Sequence, residues 1–124
     1  IAESSGNPYA YNPGSGARGL TQITSIAWKD LVRVYPGKYA HLTYESDIYD
    51  PTVARQAGLD YLKIVREYLE KDGLPTTLPY ILAAYNWGIG KVRNYGIERS
   101  PEETKEYTRK IIALLIARGV LREK

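Results

Sequence analysis

The chain carries Tyr80-Ile81-Leu82-Ala83-Ala84-Tyr85-Asn86-Trp87-Gly88-Ile89-Gly90, an apolar run that ends in polar side chains and two glycines. Such a run predicts a central, buried helix over residues 77–86, ended by Gly88 and Gly90. A buried helix of this kind can deliver Tyr85 and Asn86 into a cleft. The alternative is that Asn86 is an ordinary cap at the end of the helix.

The sequence on either side of this run predicts a mainly α-helical protein. Residues 24–34 predict a short helix capped by Thr24 or Ser25, and Asp50-Pro51 is typical of the start of a long one. That helix presents an apolar face at i, i+3 and i+4 spacing and ends at Asp72-Gly73. The face comprises Ala54, Ala57, Gly58, Tyr61, Leu62, Val65 and Tyr68.

The last helix is predicted to begin at Ser100-Pro101-Glu102-Glu103, a capping box, and to continue through an apolar run at residues 111–117. The connection at 35–49 is long and polar, and we expect at most a short hairpin near residues 37–46. With 124 residues, the chain is expected to form a single domain over residues 1–124.

Composition excludes several classes of protein. The chain has no cysteine and one histidine, so neither a thiolate nor a multi-histidine metal site can form, and we expect no metal and no cofactor. The net charge is only +3, with basic and acidic residues interleaved, so we expect no nucleic-acid partner. We also expect no integral membrane segment. Twelve tyrosines and no phenylalanine suit a wet cleft for sugars or peptides, or a partly exposed core.

Glu3 is the candidate catalytic residue. The next acidic residue is Asp30, so the loop that follows Glu3 contains no second carboxylate. An isolated carboxyl group followed by a rigid polar loop is a plausible site for chemistry that needs a single acid. The alternatives are that Glu3 is an exposed terminal residue and that Gln22 is a surface glutamine. His41 and the second Glu-Ser dipeptide, Glu45-Ser46, are interpreted as surface residues.

Five motifs, in order, resemble the soluble lytic transglycosylase family, which has the goose-type lysozyme-like fold. Glu3-Ser4 with Asn7-Pro8 is similar to its Glu-Ser…Asn-Pro motif, and residues 16–23 to Gly-Ala-x-Gly-Leu-Met-Gln-Ile. Residues 50–62 resemble its third motif. Residues 83–92 are similar to Ala-Ala-Tyr-Asn-x-Gly-x-Gly-x-Val, and Glu103-Thr104-x-x-Tyr107 resembles part of its last helix.

The resemblance implies a lyase with a substrate groove that cleaves the β-1,4 bond between N-acetylmuramic acid and N-acetylglucosamine in peptidoglycan, or a related N-acetylhexosamine glycan. Glu3 would protonate the glycosidic oxygen and then deprotonate the 6-hydroxyl, giving a 1,6-anhydro product with help from the 2-acetamido group. Tyr85 and Tyr107 would orient Glu3. Ser4, Gln22 and Asn86 would line the sugar subsites. A periplasmic, cell-wall or secreted location is implied as well.

The chain departs from the family pattern at two places. Thr21 replaces a methionine, which would alter a wall that contacts sugar. Only two residues precede Glu3, where the family has a longer helical segment. Because a helix end frays, we expect Glu3 to be covered by a preceding segment, by a second copy, or by residues 121–124 of a permuted chain.

Three functional classes follow from these observations. The first is a lytic transglycosylase, or a hydrolytic lysozyme or chitinase of the same fold. The second is a peptidoglycan-binding module that is catalytically weak. The third is a helical interaction domain that covers a partner with the apolar run at residues 111–117.

Overall fold

The structure, a computed structural model, describes residues 6–117 and residue 119. It confirms the mainly α-helical fold. The helices are α1 (Ser25–Val34), α2 (Pro36–Tyr39), α3 (Tyr44–Asp47), α4 (Pro51–Lys71), α5 (Leu78–Trp87), α6 (Ile89–Tyr95) and α7 (Glu102–Ala117), with a 3₁₀ turn at Ile97–Arg99. None of the helices in the described part of the chain is long and apolar enough to cross a membrane.

The chain divides into two compact units, Ile1–Ile64 and Val65–Lys124. The first unit contains α1 to α3, most of α4 and, ahead of them, the loop at residues 6–19, which we call the glycine-rich loop. The second contains the end of α4 and α5 to α7. The boundary lies within α4, and a single domain over residues 1–124 stays a prediction.

The predicted caps of the first unit are confirmed. The Thr24 side chain accepts a hydrogen bond from the Ala27 amide (3.2 Å) and starts α1. Asp50 Oδ1 accepts one from the Thr52 amide (2.8 Å) and starts α4. Each bond satisfies an amide that has no partner within its own helix.

The connection at residues 35–49 is more ordered than its polar sequence suggests. The hairpin that we allowed near residues 37–46 does not form, because two short helices, α2 and α3, occupy this stretch. Pro36 sits at the first position of α2, where its missing amide hydrogen costs nothing. Among the described residues, β pairing is limited to isolated antiparallel bridges that join Arg18 to Tyr11 and to Ile23.

The core of the first unit contains a buried charged group that the apolar pattern of α4 does not indicate. Asp60 is fully buried and accepts hydrogen bonds from the Tyr39 hydroxyl (2.6 Å) and Gln56 Nε2 (3.1 Å), and it pairs with Lys38 Nζ at 3.2 Å. Burial alone would raise the pKa of Asp60, but these three donors outweigh it and lower that pKa. Burial and the Asp60 carboxylate together raise the pKa of the Tyr39 hydroxyl, which therefore remains a donor.

The tyrosines are divided between the core and the surface. Tyr39 and Tyr44 are buried and pack on Trp28, with ring centroids 5.4 and 5.7 Å away. Tyr9 and Tyr11 are instead 76% and 52% exposed on the glycine-rich loop. The first pair replaces phenylalanine in the core, while the second pair leaves aromatic surface at the loop.

In the second unit, α4 ends as predicted and α5 packs against both α6 and α7. Gly73 has φ +71°, and the Leu74 amide donates back to Leu69 O (2.9 Å), which is the hydrogen bond of a glycine-terminated helix. The Ser100 hydroxyl donates to Ile97 O (2.6 Å), so Ser100 belongs to the turn ahead of α7. The apolar run of α7 at residues 111–117 is exposed or half-buried along its length.

Gly58 of α4 packs against Thr21 of the preceding loop. A β-carbon at Gly58 would lie 2.8 Å from Thr21 Cγ2, and the Thr21 hydroxyl donates to Ala54 O of α4 (2.7 Å). Thr21 therefore ties the loop to α4, and the altered wall that we expected from its replacing methionine stays a prediction.

Gly58→Ala is expected to destabilise the protein by about 1 kcal/mol. Alanine gains roughly 1 kcal/mol in a helix interior, but overlap with a held side chain costs roughly 1–3 kcal/mol. Urea unfolding of Gly58→Ala measures the difference. Gly37→Ala is the matched control, because nothing lies within 4 Å of that position. Thr21→Ser removes Cγ2 and should restore part of the free energy of unfolding that Gly58→Ala loses. The contact between Gly58 and Thr21 is contradicted if the double variant is no more stable than Gly58→Ala alone.

Candidate active site

Two of the six predicted site residues, Glu3 and Ser4, lie outside the described residues. The roles proposed for them stay predictions. Of the other four, Gln22 belongs to the first unit, whereas Tyr85, Asn86 and Tyr107 belong to the second.

Gln22 occupies a strained position in a tight turn. Its φ is +54°, and it is the one residue other than glycine with a positive φ among the described residues. Its amide and its side-chain Nε2 both donate to Gly19 O, at 3.2 and 3.1 Å. A positive φ costs a residue with a side chain roughly 1–2 kcal/mol. Strain that is held in place this way is frequent at functional sites.

The turn is closed by the backbone of Arg18 and Ile23, whose amides donate to each other's carbonyls at 3.1 and 3.0 Å. The buried Tyr44 hydroxyl donates to Ile23 O at 2.6 Å and lies 3.1 Å from Gly16 O. Burial raises the pKa of Tyr44 to about 12, although Arg18 opposes the rise. The hydroxyl therefore stays protonated and holds Ile23 in the turn, and Gln22 is half-buried beside it.

Asn86 is held by a side chain of α7. Thr104 is buried, 3% exposed, and its hydroxyl donates to Asn86 Oδ1 at 2.8 Å. The interpretation of Asn86 as a helix cap is wrong, because α5 continues to Trp87 and Gly88 caps it with φ +115°. The bond uses the oxygen of the amide, which leaves the Asn86 NH₂ group to point elsewhere, and Asn86 itself is exposed.

Tyr85 and Tyr107 lie on the two helices that this hydrogen bond joins. Both are half-buried. Tyr85 precedes Asn86 on α5, and Tyr107 lies one turn after Thr104 on α7, so the bond sets the register of the two segments that carry the tyrosines. The arrangement holds a carboxamide and two phenols at fixed positions, which suits binding of a polar ligand.

Thr104→Val is expected to lower kcat/KM about fivefold with little change in fold. Valine has nearly the same shape, so the loss is that of one hydrogen bond, about 1 kcal/mol. The comparison is with Thr108→Val one turn later, whose hydroxyl bonds only to Thr104 O in its own helix (3.0 Å). Equal kcat/KM in Thr104→Val and wild type would show that Asn86 needs no support from α7.

The residues that we assigned to structure or surface behave accordingly. His41 and Glu45 are exposed. Asp47 ends α3, and its side chain accepts a hydrogen bond from the amide of Thr43, the N-cap of that helix (2.6 Å). In the described part of the chain, no group of three acidic or histidine side chains could hold a metal ion.

Neither Thr104 nor Arg18 was assigned a role from its sequence motif. Thr104 belongs to the Glu-Thr-x-x-Tyr motif, and this was the signal that could have identified it. Arg18 occupies the unspecified position of its motif, so the motif carried no signal for it.

These elements make up a mainly α-helical protein without extended strands in its described residues. The transglycosylase SLT domain family model matches residues 1–108, and the chain belongs to that family. The match includes the positions of all six predicted site residues. No match was found among curated proteins or among solved structures. Family membership indicates an enzyme of the lytic transglycosylase type that acts on peptidoglycan.

Proposed function

We propose that this protein cleaves the β-1,4 bond between N-acetylmuramic acid and N-acetylglucosamine and releases a 1,6-anhydro sugar. Glu3 gives its proton to the glycosidic oxygen as the bond breaks. The 2-acetamido oxygen of the N-acetylmuramic acid attacks C1 of that same sugar. Glu3 then takes the proton of the 6-hydroxyl, whose oxygen closes the anhydro ring and displaces the acetamido group. No water enters the product.

The observation that carries this proposal is the family match over residues 1–108, which spans Glu3 and the other five site residues. In the proposed site, Ser4, Gln22 and Asn86 contact the sugars, and the hydroxyls of Tyr85 and Tyr107 hold the Glu3 carboxyl. To carry a proton near neutral pH, Glu3 must be desolvated, since burial disfavours the charged form of a carboxyl group.

Four of the five acids in the described part of the first unit are bonded to other groups of the protein, which favours a mechanism with one carboxylate. Asp30 pairs with Arg33 (3.0 Å), and Asp60 is bonded within the core. Asp47 and Asp50 accept hydrogen bonds from backbone amides. The remaining acid of the described part of this unit, Glu45, is exposed on α3. None of the four bonded acids is a free second carboxylate of the kind that a two-carboxylate glycosidase requires.

Digestion of purified cell-wall sacculi tests the proposal, with the soluble products identified by mass spectrometry. We expect muropeptides that end in 1,6-anhydro-N-acetylmuramic acid. Reducing ends would instead indicate a hydrolytic lysozyme, and co-sedimentation with sacculi without release would indicate a binding module. Because peptidoglycan lies outside the cytoplasm, we also propose a periplasmic, cell-wall-associated or secreted location.

A further inference from the structure

Arg18 lies in the turn that carries Gln22, and its guanidinium contacts the faces of two aromatic rings. Its Cζ atom lies 5.5 Å from the centroid of the Tyr11 ring and 5.1 Å from that of the Tyr44 ring. Both distances are within the range of a cation–π interaction. The contacts engage the guanidinium through the faces of the rings.

The support around Arg18 is rigid. Tyr44 is buried and bonded through its hydroxyl, and the backbone of Arg18 bridges to both Tyr11 and Ile23. The loop before it is closed by hydrogen bonds from the Gly16 amide to Asn12 O (2.7 Å) and from the Gly19 amide to Ala10 O (2.8 Å). The cation is therefore positioned before any ligand arrives, which reduces the entropy that binding would cost.

The ionic surroundings of Arg18 differ from those of several other arginines in the described part of the chain. Among the described residues, no carboxylate forms an ion pair with it, and its Nε is buried without a hydrogen-bond acceptor. The two terminal nitrogens of the guanidinium remain as donors for an anionic ligand. Three other cations, Arg33, Arg93 and Arg109, each pair with a nearby acid.

We propose that Arg18 binds a carboxylate of the substrate, beside the saccharide contact at Gln22. The guanidinium donors lie in its plane and match a carboxylate in pairs. Because Nε is covered while the side chain as a whole is partly exposed, the carboxylate bonds end-on to the two terminal nitrogens. Tyr11, which is half exposed, forms one wall of the site.

The identity of this ligand rests on the proposed function. Peptidoglycan offers carboxylates of one chemistry from two sources, which are the stem peptide and the lactyl group of a muramic acid whose peptide has been removed. Chitin offers none. Arg18 therefore makes this domain prefer acidic glycans to neutral ones.

Binding of three soluble glycans to wild type, Arg18→Gln and Arg18→Lys tests the proposal. The probes are a disaccharide with its stem peptide, the same disaccharide with a free lactyl carboxylate, and a neutral N-acetylglucosamine oligomer. We expect Arg18→Gln to weaken binding of at least one acidic probe about tenfold, equivalent to about 1.4 kcal/mol, and to leave the neutral probe unchanged. Arg18→Lys keeps the charge without the planar fork, so its loss is smaller.

Arg55→Gln is the matched control, since Arg55 is an exposed arginine of the same unit and its replacement changes net charge equally. Thermal unfolding of each variant accompanies the titrations. The backbone bonds of Arg18 do not depend on its side chain, so Arg18→Gln is expected to fold.

The acidic probe that loses affinity identifies the source of the carboxylate. Equal affinities of Arg18→Gln and wild type for both acidic probes would overturn the inference, and so would an equal loss on the neutral probe or wild type that binds neither acidic probe. Sacculus digestion by wild type, run in parallel, separates the two proposals. If wild type cleaves sacculi but Arg18→Gln binds the acidic probes as wild type does, the proposed function is supported and the carboxylate site is rejected. If Arg18→Gln loses affinity for an acidic probe but wild type does not cleave sacculi, the carboxylate site is supported and the proposed function is rejected.

Discussion

Glu3→Gln is expected to lower the rate of release of muropeptides from sacculi by about a thousandfold, because loss of a general acid–base group typically costs about 10²–10⁴ in rate. The amide has nearly the same shape as the carboxyl group but can neither give nor take the proton. Binding to sacculi, measured by co-sedimentation, should be close to that of wild type.

The chain provides a matched control for this substitution. Glu45-Ser46 repeats the dipeptide Glu3-Ser4, and Glu45 is exposed on α3. Glu45→Gln makes the same chemical change with the same following residue and should leave the rate unaltered. If Glu3→Gln kept full activity, the assignment of Glu3 as the acid and base would be wrong.

Gly19→Ala should produce the largest loss of stability, about 3 kcal/mol. Gly19 has φ +81°, and a β-carbon there would overlap the backbone carbonyl oxygen of the fully buried Ile48. The positive φ costs roughly 1–2 kcal/mol, and the overlap adds roughly 1–3 kcal/mol because backbone cannot turn aside as a side chain can. Since Gly19 O accepts both hydrogen bonds from Gln22, activity should fall as well.

Gly16→Ala separates the two contributions. Gly16 has nearly the same φ, +76°, but nothing lies within 4 Å of its added β-carbon. We therefore expect urea unfolding to show a loss of only about 1–2 kcal/mol, the cost of the backbone conformation alone. Equal losses in the two alanine variants would show that the contact with Ile48 does not constrain the turn.

The helices could be predicted closely because their signals are local. Thr24, Asp50 and Gly73 act at the helix ends where they stand, through hydrogen bonds to residues no more than four positions away or through their own φ. The same local argument failed at residues 35–49. There the order depends on Tyr39 and Tyr44, whose hydroxyls reach Asp60 and Ile23, each 21 residues away.

The candidate site was predictable only in part, for a similar reason. The motifs identified Gln22, Asn86 and the two tyrosines, but not what holds them. Thr104 contacts Asn86 across 18 positions of sequence. Arg18 is distinguished by its two tyrosine neighbours and by the absence of an acidic partner in the described residues, and these features depend on the fold.

The most direct test of the central claim is to digest sacculi in water enriched in oxygen-18, here called heavy oxygen, and to measure the masses of the newly formed sugar ends by mass spectrometry. If the 6-hydroxyl closes the ring, the product is lighter than a hydrolysis product by one water and contains no heavy oxygen. Incorporation of heavy oxygen at a reducing end would mean that water is the nucleophile. It would contradict a mechanism in which Glu3 deprotonates the sugar's own 6-hydroxyl.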